Sequence, residues 1–173
     1  QDHLFSHVNI PAANIHFLNG ETKDVAAEVA NYEAEILRLG GVDIAFGGIG
    51  RDGHIAFNEP GSDLYDRRMV RLIIIDSRSV RQQYRDYKSH PNPEARYPSL
   101  AAVPRKAITL TIPAILSAKE IYTIVPGPQK AEAVGKMWEG PISSACPSSA
   151  LRRHRFVKIY LDRDSAQSLK KGS

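Results

Sequence analysis

Residues 42–62 read VDIAFGGIGRDGHIAFNEPGS, an apolar run delivered into a glycine turn that carries Asp52, His54 and Glu59. A short, mostly apolar run ending in glycines is expected of a strand buried on both faces of a parallel sheet. Gly47, Gly48, Gly50 and Gly53 permit positive φ and close backbone approach, so the peptide groups around Gly48 and Gly50 are candidates to line a small ligand. In open α/β sheets ligands sit in the crevice beyond the carboxyl ends of the strands, which is where Asp52 and His54 would project. Residues 48–53, GIGRDG, also fit the G-x-G-x-x-G pattern of dinucleotide-binding units. That pattern requires a helix to open directly after it. Here Pro60 and Gly61 leave little room for one before the next apolar strand, so no nicotinamide or flavin site is expected.

Outward from this stretch, strand and helix patterns alternate. Strands are expected at residues 15–18, 42–46, 70–75, 108–111, 121–125 and 157–161. Helices are expected at 24–39, 77–87, 113–118 and 128–138. Val25, Val29, Tyr32, Ile36 and Leu39 recur at helical spacing, and Gly40 and Gly41 should end that helix. Alternation of this kind argues for an α/β fold with a largely parallel sheet in a single domain over residues 1–173. Residues 88–98, with Pro91, Pro93 and Pro98, are the most loop-like part of the chain and suit a lid or an insertion. Phe5, Phe17, Phe57, Tyr32 and Trp138 read as core packing. Residues 146–154, CPSSALRRH, read as a capped short helix before the last strand.

Composition narrows the classes. The chain has 173 residues, 42% hydrophobic and 24% charged, with a net charge of +4, as in ordinary globular domains. No run approaches the roughly twenty apolar residues of a membrane span. The single cysteine, Cys146, excludes an internal disulfide framework, fits a reducing compartment with the cytoplasm as default, and reads as an inert buried thiol. Basic clusters at Arg67-Arg68, Arg152-Arg153 and Lys170-Lys171 lack interleaved aromatics, so a solvated surface is expected rather than a nucleic-acid site. The histidines lack metal-ligand spacing, and no metal is expected.

Proton chemistry is the natural use of the central turn. An imidazole, with an ordinary pKa of about 6.5, can take and give a proton near neutrality, and a neighbouring carboxylate fixes its tautomer. Each residue has a plainer reading as well: Asp52 as an Asx-turn with Gly53, Glu59 as a surface acid, His54 as a simple hydrogen-bonder. Residues 126–130, PGPQK, follow a strand and start a helix, where backbone donors and the Lys130 ammonium would converge on an anion. A lysine there is otherwise unfavourable against the helix dipole.

The stretch GGIGRDGHIAFNEPGS resembles the signature of the glucosamine-6-phosphate deaminase family, also called glucosamine-6-phosphate isomerases. The similarity extends through FSHVNIPAANIHFLNG, VPRKAITLTIPAILSAKEIYTIVPGPQKAEAV, EGPISSACPSSALRRH and VKIYLDRDSA. The resemblance implies a Rossmann-like three-layer fold and cofactor-free conversion of glucosamine 6-phosphate and water into fructose 6-phosphate and ammonia. It places the ring-opening histidine at His54, its two acids at Asp52 and Glu59, and a phosphate-binding lysine at Lys130. A substrate-binding arginine of the family falls on Gln83, with Arg81 or Arg85 as substitutes. An effector-site basic residue falls on Met69, with Arg71 retained nearby, so allostery is not expected. The family's glycine- and threonine-rich phosphate loop and its Asp-Glu-Tyr motif, whose aspartate removes the C2 proton, are not found in this sequence. The chain is therefore expected to be a partial domain lacking its amino-terminal portion and inactive by itself. The resemblance also implies a homo-oligomer acting on a small amino sugar phosphate. Two alternatives stand beside it: a 6-phosphogluconolactonase, whose similar turn usually continues with Thr or Ser where this chain has FNEP, and a non-catalytic sugar-phosphate-binding protein.

Overall fold

The computed structural model describes residues 4–88, 90, 92 and 96–170. Helix α1 (Val25–Arg38) begins where Asp24 caps it, the carboxylate accepting the Ala27 N–H at 3.0 Å. It ends where Gly40 and Gly41, at φ 84° and 95°, turn the chain and Gly41 N–H donates back to Ile36 O. There follow β1 (Ile44–Gly47), β2 (Val70–Ile74), α2 (Ser77–Lys88), β3 (Lys106–Leu110), α3 (Ile112–Leu116), β4 (Glu120–Val125), α4 (Ala131–Glu139) and β5 (Val157–Leu161).

Strands β1, β4 and β5 form a parallel sheet in that order, with Ala45 beside Ile121 and Ile121 beside Val157. One face carries Ile121 and Val125 into the main buried cluster, where they meet Ile112 and Ile115 of α3, Val134 and Met137 of α4, and Leu151. Leu151 belongs to the 3₁₀ segment Pro147–Arg153, the shortened form of the helix expected there. The other face presents Ile44, Phe46, Tyr122, Ile124 and Tyr160. Phe46 stacks on Tyr122 at 5.5 Å and Tyr122 on Tyr160 at 6.5 Å. Phe46 is 75% exposed, so the expectation that this strand is buried on both faces does not hold. Among the described residues α3 and α4 both contribute to this cluster.

Strands β2 and β3 form a separate pair and run antiparallel, Val70 opposite Leu110 and Ile74 opposite Lys106. The expectation of a largely parallel arrangement thus holds for β1, β4 and β5 alone. Hydrophobic patterning records which residues are buried, not the direction in which a strand runs. Residues 15–18 form no strand; Phe17 lies 60% exposed and meets Phe5 edge-on at 5.5 Å. Phe57 and Trp138 are also exposed, against the core expectation, Trp138 lying beyond the buried stripe Ala133, Val134 and Met137 of α4. The proline-rich loop expected at 88–98 includes residues 89, 91 and 93–95, which lie outside the described residues. No described helix is long and apolar enough to cross a membrane.

Candidate active site

The turn that leaves β1 closes on itself before reaching β2. Gly50 N–H donates to His54 O at 2.8 Å and Gly53 N–H to Gly50 O at 3.1 Å. No helix opens after Gly53, so the pyrophosphate cradle that G-x-G-x-x-G would need is not formed. Of the glycines expected to use positive φ here, Gly53 does so, at 85°, while Gly48 and Gly50 do not. Gly50 is needed for a different reason. A Cβ there would fall 2.5 Å from His54 Cγ and closer still to other ring atoms, so the imidazole occupies the space a side chain would fill.

His54 Nδ1 lies 2.8 Å from Asp52 Oδ1, and the same oxygen accepts the His54 backbone N–H at 3.1 Å. The Asx-turn and the acid–imidazole pair are therefore one arrangement. The ring nitrogen faces the carboxylate at that distance, off the line of a hydrogen bond. Both side chains are about one-third exposed, at 32% for His54 and 37% for Asp52, which leaves the imidazole open to a ligand. Ala56, at φ 50°, is the one described non-glycine residue in the left-handed region, and it lies two residues after the histidine. Such strain costs on the order of 1 kcal/mol and gathers at functional turns.

Glu59 has no described hydrogen bond or ion pair to either residue. Its Oε2 accepts the Asp76 N–H at 2.8 Å, just ahead of α2, and its Oε1 is buried without a partner. Lys130 lies on the other side. Its Nζ donates to Ile49 O at 2.6 Å, which ties the loop after β4 to the loop after β1. Burial pulls the Lys130 pKa below the ordinary lysine value. Arg51 pulls it the same way, while Asp52 and Asp86 oppose. Helix α4 starts only after Lys130, and Gly127 N–H is already engaged by Asp162 Oδ2 at 2.8 Å. The Lys130 ammonium is the cation of this corner, with Arg51 close enough to bear on its charge. Gln83 of α2 donates to Tyr97 OH at 3.2 Å, and Arg81 reaches Ser77 Oγ at 3.4 Å. Neither contacts the histidine turn.

A cavity of about 350 Å³ borders the turn, lined by Gly47, Gly48, Ile49, His54 and apolar residues of β1, α3 and β4. His54 is the one titratable group in that lining. Sequence reasoning passed over Arg51, although it lies inside the signature, and over Asn58. Asn58 is fully buried, and its Nδ2 donates to Ile55 O at 3.0 Å and to Leu110 O at 2.8 Å. A buried amide between two strands is a signal that only the folded chain gives.

Residues 1–85 match the family model described as glucosamine-6-phosphate isomerases/6-phosphogluconolactonase. The chain is 38% identical over 170 residues to a glucosamine-6-phosphate deaminase of Phocaeicola vulgatus, covering 98% of this chain and 60% of the relative. It is 39% identical over 169 residues to the enzyme of that name from Oceanobacillus iheyensis, covering 98% and 63%. The chain therefore spans about three fifths of the length of these relatives. A solved monomeric glucosamine-6-phosphate deaminase superposes with a TM-score of 0.85 at 36% identity, covering 96% of this chain and 64% of that one. A 6-phosphogluconolactonase from Thermotoga maritima, at 20% identity and a TM-score of 0.62, shares the fold. With its glycine-borne acid–histidine turn at the end of a parallel strand, the chain is similar along nearly all its length to glucosamine-6-phosphate deaminases, and its first 85 residues match the family of glucosamine-6-phosphate isomerases and 6-phosphogluconolactonases.

Proposed function

We propose that the protein acts as a glucosamine-6-phosphate deaminase, coupling aldose–ketose isomerisation to the release of ammonia, and that this stretch supplies its ring-opening site. The observation that carries the reading is the His54 imidazole seated on Gly50 with Nδ1 2.8 Å from Asp52 Oδ1. A carboxylate at Nδ1 favours the tautomer with the proton there and leaves Nε2 as the acceptor. His54 Nε2 takes the proton of the anomeric hydroxyl and returns it to the ring oxygen, so that the pyranose opens without free hydroxide. Lys130 and Arg51 hold the phosphate by charge. Glu59 Oε1, buried and unpartnered, is the second acid of this step. Loss of the C2 proton then needs a further carboxylate, which the resemblance assigns to an Asp-Glu-Tyr motif not found in this sequence. This stretch alone is accordingly expected to bind the sugar phosphate without turnover.

The names of the relatives support the deaminase over a lactonase, the like-named solved structure being also the more similar of the two. The test is ammonia release from glucosamine 6-phosphate by the protein made from its complete coding sequence, with 6-phosphogluconolactone hydrolysis as the control. His54→Gln is expected to lower ammonia release about 100-fold or more. An unchanged rate would remove His54 from the reaction.

A further inference from the structure

We infer that Arg71 is a positioning residue, a strut on β2 that fixes the histidine turn through Asn58; the kinetic part of its test rests on the deaminase reading. The turn has few anchors of its own. Ile55 and Asn58 close it with backbone bonds of 3.4 and 3.0 Å, and Ala56 within it is held at φ 50°. A strained backbone persists only where its surroundings over-determine it.

Those surroundings come from the β2–β3 pair, not from the parallel sheet that delivers the turn. Asn58 Nδ2 bridges Ile55 O and Leu110 O, and its Oδ1 accepts from Arg71 Nη2 at 3.0 Å. The same guanidinium reaches Ser62 Oγ at 3.1 Å and Asp66 Oδ2 at 3.5 Å, and it is only 14% exposed. Thr109, directly across the ladder from Arg71, takes the Phe57 N–H at 3.1 Å. One rung of the pair therefore holds both residues at the far end of the turn. Without the guanidinium, the buried Asn58 carbonyl would lose its described partner, and a buried acceptor left unpaired drives local rearrangement. The rearrangement would pass through Ile55 to His54, whose carbonyl closes the turn onto Gly50. A planar fork holding two neutral acceptors is not replaced by a single ammonium.

Arg71→Met keeps the length and removes the fork, and Arg71→Lys keeps the charge. In the protein made from its complete coding sequence, Arg71→Met is expected to lower kcat for ammonia release about 10-fold or more with a smaller rise in KM, since His54 and Arg51 share the displaced turn while Lys130 stands on the loop after β4. Arg71→Lys is expected to recover part of the loss. Amide exchange is read in parallel: the Gly50 and Asn58 N–H groups should exchange about 10-fold faster in Arg71→Met, with β4 amides unchanged. If Arg71→Met does not fold, the same two readouts on Arg71→Lys decide, with about a threefold change expected in each. Unchanged exchange at Gly50 and Asn58, or an unchanged kcat in a folded variant, overturns the strut. Should the unmodified protein release no ammonia, the deaminase reading falls and the exchange data alone decide the strut.

Discussion

Replacing Gly50 by alanine separates catalysis from stability more cleanly than any change to a charged residue. Gly50 does not use positive φ, so alanine fits its backbone, and the obstacle is the imidazole alone. An added Cβ would sit 2.5 Å from His54 Cγ, with nearer ring atoms closer still, whereas real Cβ contacts keep more than 3.0 Å. The ring must therefore retreat by roughly 1 Å, a displacement that typically costs about 100-fold in rate when it misplaces a reacting group. Because the clash is with a partly exposed side chain that can swing outward, the stability cost should stay near 1 kcal/mol. The expected result is a fall in kcat of about 100-fold with little change in KM, and a melting temperature lowered by only a few degrees. Ammonia release from glucosamine 6-phosphate, followed with thermal unfolding of the same sample, gives both numbers. Combining Gly50→Ala with His54→Gln should cost scarcely more than His54→Gln alone, since the two changes act through one ring. A Gly50→Ala protein within about threefold of the unmodified rate would refute the seat assigned to the imidazole.

Lys130→Met should raise KM for the sugar phosphate about 10-fold or more, the ordinary worth of a charge-assisted bond; an unchanged KM would take Lys130 out of phosphate binding. Asp66→Asn addresses acid stability. The Arg68 side-chain hydrogen bond, opposed by burial, holds the Asp66 carboxyl below the usual carboxylate range. A depressed folded value means stability that is present above the unfolded pKa of about 3.9 and lost as pH falls through the folded value. Asp66→Asn should therefore be less stable at pH 7 and show a shallower loss on acidification, measured by urea unfolding across that range. Parallel acid profiles for the two proteins would count against the assignment.

The sequence made the outline of the site legible because its parts are local. Asp52, Gly53 and His54 are neighbours in the chain, and a strand ending in glycines is a strong signal for the rim of a parallel sheet. Helix α1 was equally plain, with Asp24 at its start and the glycine pair at its end. What escaped was non-local. Nothing in the alternation of apolar residues shows that β3 returns antiparallel to β2, or that Glu59 takes the Asp76 N–H. The glycines were read for backbone freedom, yet at Gly50 the requirement is the volume taken up by a ring four residues later. The aromatics were assigned to the core by type, and Phe17, Phe57 and Trp138 proved exposed because the chain places bulk where it packs on few neighbours.

The single tryptophan and the aromatic row of the parallel sheet lie on opposite sides of it. Trp138 borders a recess formed with Val157, Ile159 and Leu161, whereas Tyr122 and Tyr160 stand on the water-facing side with Phe46. The molecule thus carries one unique optical reporter, on a single side of that layer of backbone. Tryptophan emission follows the recess beside α4, so that side can be watched without a label.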